Sequence, residues 1–99
     1  MAIKADWYVL PGEFVAASGT VDGDSEIRVL NNRIIIANNR SNRVRVYSMK
    51  NITDMSLYWG DNLMWVISWR DSSYDYHSVN VGTNWDWAHK LFYQIQCRL

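Results

Sequence analysis

Ninety-nine residues with ten Lys and Arg against ten Asp and Glu carry no formal net charge, so nothing marks the chain as a general polyanion binder, while a local charged patch is still allowed. A single cysteine, Cys97, excludes an internal disulfide and fits a reducing, cytoplasmic setting. The length suits one domain, residues 1–99, with one core; six Trp and six Tyr serve equally to fill that core or to build a binding patch.

Residues 1–12 read as a short packed lead-in. Trp7, Tyr8, Val9 and Leu10 are apolar, and Pro11-Gly12 ends whatever they form. Lys4 and Asp6 interrupt the first ten residues, so no signal peptide is expected. Nor does any stretch approach the ~20 apolar residues of a membrane span. The first strand covers 13–21, and Gly19 within it marks a bulge or a close backbone approach. After the turn Asp22-Gly23-Asp24-Ser25, residues 26–30 alternate, with Ile27 and Val29 on one face. Asn31-Asn32 forms a two-residue hairpin loop whose positions both tolerate positive φ. Residues 33–37 return with Ile34 and Ile36 on one face.

Beyond the polar loop 38–42, residues 43–48 alternate, which places Val44 and Val46 inward and Arg43, Arg45 and Tyr47 outward. Residues 53–59 carry Met55, Leu57 and Trp59 on one side. Gly60-Asp61-Asn62 turns the chain into the longest strand, 63–70. There Leu63, Trp65, Ile67 and Trp69 share a face, and Met64 and Val66 make the other face apolar too. Asp71-Ser72-Ser73 is a turn and 74–81 the last strand. Residues 83–98 then form an amphipathic helix. Thr83 is its cap, with Asn84 as the alternative, and Ala88, Leu91, Phe92, Ile95 and Leu99 form one apolar stripe. Asp86 in the first turn and Arg98 in the last suit the helix dipole.

Seven short strands joined by turns, then one helix, define a mainly β (α+β) fold. The expected solution is a bent antiparallel sheet, or two orthogonal sheets, with the helix covering the open end. The stretches GEFVAASG, VLNNRIIIAN, VYSMKNITDMSL and NWDWAHKLFYQI fall in that order along the chain. In wording and layout they resemble the bacterial PH-like and GRAM-like branch of the pleckstrin-homology superfold, over about residues 13–97. One departure is Asn31-Asn32, where Thr-Asn is commoner. The resemblance implies a PH-like barrel capped by its C-terminal helix, a scaffold that binds phosphoinositides, peptides or proteins, or assembles as an oligomer. Lipid-binding members carry Lys and Arg-x-Arg on their first two strands. Here the first strand has neither, and Arg43-Val44-Arg45 falls on the fourth, so no phosphoinositide residues carry over.

Between Ile27 and Thr53 lie six bases, Arg28, Arg33, Arg40, Arg43, Arg45 and Lys50, and no acid. By alternation Arg28, Arg33, Arg43 and Arg45 converge on one outer face, which suits a phosphate or carboxylate partner. The bland reading is a solvated face balanced by Glu26 and Asp54. Trp59, Trp65, Trp69 and Trp87 read as core, and Trp85 as partly exposed. Only Tyr47 beside Arg43 and Arg45 approaches a base-stacking platform, which argues against nucleic acid. With His77 and His89 the only histidines and no paired cysteines, no catalytic residue, metal site or cofactor is expected. Asp71, Asp75 and His77 read as a turn beside a strand histidine.

The expectation is therefore a non-catalytic binding or assembly module that contacts a protein partner or itself. A homo-oligomer would form through Tyr58, Met64 and Val66, if the second face of their strands is uncovered. The alternatives are an anionic ligand or lipid headgroup on the arginine face, and a phage-type inhibitor that occludes a host protein.

Overall fold

The computed structural model describes residues 7–99, so the first half of the expected lead-in lies outside the described residues. The elements are β1 (Val15–Val21), β2 (Ser25–Leu30), β3 (Arg33–Asn38), β4 (Arg43–Ser48), a 3-10 turn (Met49–Asn51), β5 (Ile52–Trp59), β6 (Trp65–Asp71), β7 (Tyr76–Gly82) and α1 (Trp85–Gln96). They form two antiparallel sheets, β1-β2-β3-β4 and β5-β6-β7, with every strand beside its sequence neighbour. Short turns leave an antiparallel return as the only geometry. One corner joins the sheets: the Asp22 amide donates to the Asn80 carbonyl at 2.8 Å, and the Asn80 amide donates to Asp22 Oδ1 at 2.8 Å.

One core draws on both sheets and the helix. Ile27, Val29, Ile34 and Ile36 face Ile67, Trp69, Val79 and Val81, and Ala88, Leu91 and Ile95 of α1 close the end. The helix stripe is thus as expected in its centre. Its ends differ. Asn84 is the N-cap, its Oδ1 accepting from the Trp87 amide at 3.1 Å, and the helix stops at Gln96, which leaves Leu99 exposed. Arg98 lies past the last turn and donates to the Gln94 carbonyl at 2.7 Å.

Gly19 is a close approach, not a bulge: a Cβ there would lie 2.5 Å from the Trp87 ring. The irregularity in β1 falls instead between Val15 and Ala17. The Asn31-Asn32 loop has two residues, but neither takes positive φ. Asn31 Oδ1 instead accepts from the Phe14 amide at 3.0 Å, and the Asn32 carbonyl accepts from Met49, tying the loop to both neighbouring strands. In β5 the register shifts between Thr53 and Ser56, with Asp54 at φ 52, a bulge that bends this edge strand.

The largest departure is β4. Ile35 pairs with Val46 and Ala37 with Val44, whereas Ile34 pairs with Tyr47 and Ile36 with Arg45. Directly paired side chains share a face, so Tyr47 turns to the main core and the two valines turn away from it. Both faces of β3 are consequently used. Leu30, Ile35 and Ala37 are buried on the outer face beneath Trp7, with Val44 alongside.

Candidate functional site

The six bases do not form one surface. Arg28 and Arg33 occupy the outer face of the first sheet, while Arg43 and Arg45 project from the opposite face beyond the edge of the core, because of the inverted β4. A one-residue change of facing exchanges every side chain of a strand. Arg28 donates to the Trp7 carbonyl at 2.8 Å and stacks 4.1 Å over its ring. Arg33 grips Glu13 through Nε and Nη2 at 2.7 and 2.9 Å. That fork holds the Glu13 carboxyl down from an ordinary 4.5 to about 2, helped by the Leu10 amide. Arg45 reaches Asp22 at 3.9 Å and Arg40 reaches Asp24 at 3.4 Å. Arg43 and Lys50 are exposed, and the Arg43 guanidinium has no partner among the described residues. What remains of the expected basic face is divided between two notches, one of about 230 Å³ between Asp22, Asn38, Arg43 and Arg45, and one of about 630 Å³ lined by Arg33, Lys50 and Arg98.

The expected patch of Tyr58, Met64 and Val66 also changes. Tyr58 and Met64 are exposed, but Val66 is only 8% exposed. Tyr58 on β5 and Tyr76 on β7 reach toward each other from either side of β6, and their hydroxyls meet at 3.1 Å. Ser68 is also buried on this face, with its hydroxyl 2.7 Å from that of Ser56. The Tyr76 contact raises the Tyr58 pKa; Ser68, and then Tyr58, lower that of Tyr76.

Exposed apolar surface gathers instead at the end of the opposite face. Trp59 and Trp65 are direct partners across β5 and β6, with ring centres 5.1 Å apart at 75°. The first turn of α1 lays Trp85 on Trp65 at 4.6 Å, and His89, one helical turn further, meets Trp85 at 5.3 Å. Trp59 and Trp85 remain 47% and 48% exposed. Beside them the hairpin tip raises Leu63, at φ 57 and 68% exposed, next to Met64. The tip is held by the Gly60 amide donating to the Met64 carbonyl at 2.8 Å. A Cβ at Gly60 would lie 2.8 Å from Val66 Cγ2, so a larger residue there must displace that side chain. Across the whole stretch 52–69 the only formal charges are Asp54 and Asp61. Sequence reasoning placed Trp59 and Trp65 in the core. The usable signal was their position, one on each side of the 60–64 turn and so necessarily at a hairpin tip.

The Asp71 and His77 pair closes a second polar cluster. Asp71 Oδ2 lies 2.9 Å from His77 Nε2, and its Oδ1 accepts from the Ser73 and Asp75 amides. The His77 bond is the main cause that lowers the Asp71 pKa. The His77 ring packs on Tyr47 at 4.7 Å, and Tyr47 meets Trp69 edge-on at 5.3 Å. This arrangement fastens β4 to β6 and β7 and orders the 71–75 turn. Cys97 is exposed, 3.1 Å from Arg98 Nη1. Among the described residues no group of three His, Cys, Asp or Glu is placed to hold a metal ion, and no helix is long and apolar enough to cross a membrane. No protein-family model matches the chain, and no curated protein or solved structure matches it.

Proposed function

We propose that this chain is a PH-like, non-catalytic assembly module that works by protein contact, and that its contact surface is the Trp59–Trp65–Trp85 cluster with Leu63 and Met64. The observation that carries the reading is the contiguity of three tryptophans, two of them about half exposed, beside a hairpin tip of bare aliphatic side chains. Trp and Met are enriched and charges depleted at interface centres, and Trp commonly supplies the dominant binding energy there. The PH-like assignment is supported by the order of seven antiparallel strands and one C-terminal helix.

The occupant we favour is a second copy of the chain. A formal net charge of zero puts no long-range repulsion between copies. Strand β5 is an edge of its sheet, and its half beyond the bulge, from Ser56 to Trp59, carries no blunting charge. The single cysteine favours a reducing compartment such as the cytoplasm.

Size-exclusion chromatography with light scattering tests this. Wild type is expected above its 11.6 kDa monomer mass, and Trp85→Glu at the monomer mass with its fold retained by circular dichroism. Glu is a favourable residue at the first helical position, so the fold should survive. A wild type monomeric at every accessible concentration would overturn self-association and leave the surface to a different protein. The second reading, an anionic ligand, rests on the unpartnered Arg43 beside Arg45. It predicts that Arg43→Glu with Arg45→Glu abolishes salt-sensitive binding to anionic vesicles.

A further inference from the structure

The outer face of the first sheet is closed by the segment that leads into β1. Trp7, 7% exposed, covers Leu30, Ile35 and Ala37, with Val44 at the margin. Arg28 Nη1 donates to the Trp7 carbonyl at 2.8 Å, and Arg33 Nη2 donates to the Tyr8 carbonyl at 2.9 Å. The side chains of Tyr8, Val9 and Leu10, by contrast, are exposed. The sheet therefore holds this arm through one aromatic side chain and two main-chain carbonyls. Those are the elements of a peptide site: a pocket for an anchor residue and fixed donors for the backbone.

What returns the arm to its own sheet is a single tight turn. The Glu13 amide donates to the Leu10 carbonyl at 3.0 Å, Leu10 donates back to Glu13 Oε1 at 2.8 Å, and Gly12 takes φ 85. Pro at the second position and Gly at positive φ in the third are the marks of a type II turn.

We propose that this seat is a peptide-binding site whose occupant in trans is the same arm of a second copy, so that opening of the Leu10–Glu13 turn lets two chains exchange arms. A second copy necessarily carries the matching segment. The contacts of Trp7, Arg28 and Arg33 are the same within one chain or between two, so what opposes exchange is the turn, with the bond that Asn31 Nδ2 donates to its Gly12 carbonyl at 3.3 Å, and the entropy of association. The seat ends at the Tyr8 carbonyl, so the exposed apolar residues Val9 and Leu10 lie on the stretch of chain that would cross between the two bodies. The proposal is independent of the tryptophan surface.

The test is made in the Trp85→Glu background, where that surface is disabled. Gly12→Val denies the turn its positive φ and leaves Trp7, Arg28 and Arg33 in place. Light scattering should show the mass doubling. An excess of synthetic peptide of residues 7–14 should return the protein to monomer, and the same peptide with Trp7→Ala should not. A chain without Pro11 and Gly12, too short to fold back, carries the same expectation and is read if Gly12→Val fails to fold by circular dichroism. A monomeric hinge variant, or a dimer on which the two peptides act alike, overturns the proposal.

Discussion

Gly19→Ala tests the packing between β1 and the helix, because two effects of opposite sign compete there. Gly19 lies in a strand and not at positive φ, so the backbone accepts alanine. On backbone entropy alone the substitution should stabilise by about 0.5–1 kcal/mol. The new Cβ would however lie 2.5 and 2.6 Å from two carbons of the Trp87 indole, well inside contact distance. Trp87 is half-buried on the helix that closes the core, so its ring has little freedom to withdraw. Overpacking of this kind costs about 1–3 kcal/mol. The clash therefore wins, leaving a net loss of up to about 2.5 kcal/mol when the smaller gain is set against the larger cost. At about 4–8 °C per kcal/mol for a domain of this size, the melting temperature should fall, by up to about 10–20 °C at the upper end of that loss. Urea melts of wild type, Gly19→Ala, Trp87→Leu and the double variant complete the cycle. The alanine should cease to be costly in the Trp87→Leu background, with a coupling of about 0.5–3 kcal/mol. A Gly19→Ala protein as stable as wild type or more so, or a cost undiminished by Trp87→Leu, would refute the close approach and with it the seating of the helix on β1.

Two further outcomes follow from particular contacts. Glu13 has its carboxyl held at about 2 in the folded chain against an ordinary 4.5; a depressed carboxylate contributes stability above its unfolded value that is lost as pH falls through the folded one. Thermal melts from pH 5 to pH 2 should show Glu13→Gln losing less stability on acidification than wild type, and parallel curves would remove the Arg33 fork from the account. Val66→Lys should lower the melting temperature, because the side chain is 8% exposed and packs against Gly60 between flanking strands; a substitution without effect on melting would mean that this face of β6 is open after all.

Local chemistry alone settled most of the elements. Alternation and turn residues located seven strands, and the three-four spacing of Ala88, Leu91 and Ile95 located the helix and its buried side, because those periodicities are set by residues within one or two turns of each other. Gly19 could be marked as a bulge or a close approach, though not which of the two, nor against what. Facing was decided elsewhere. β4 is an edge strand whose alternation marks two unlike faces, and its valines, expected inward, face outward in the pairing with β3. Trp7 decided it, by covering Ile35 and Ala37 and offering Val44 an apolar neighbour on the side the sequence pattern had reserved for solvent. The same inversion split the arginines between two faces, and the meeting of β5, β6 and the helix start turned Trp59 and Trp65 from core candidates into a surface with Trp85, which was expected to be partly exposed. Each of these outcomes depends on contacts between distant parts of the chain, such as Asp22 with Asn80 fifty-eight residues later. Periodicity reports that a strand has two unlike faces; only the partner that arrives from far along the chain determines which of them is buried.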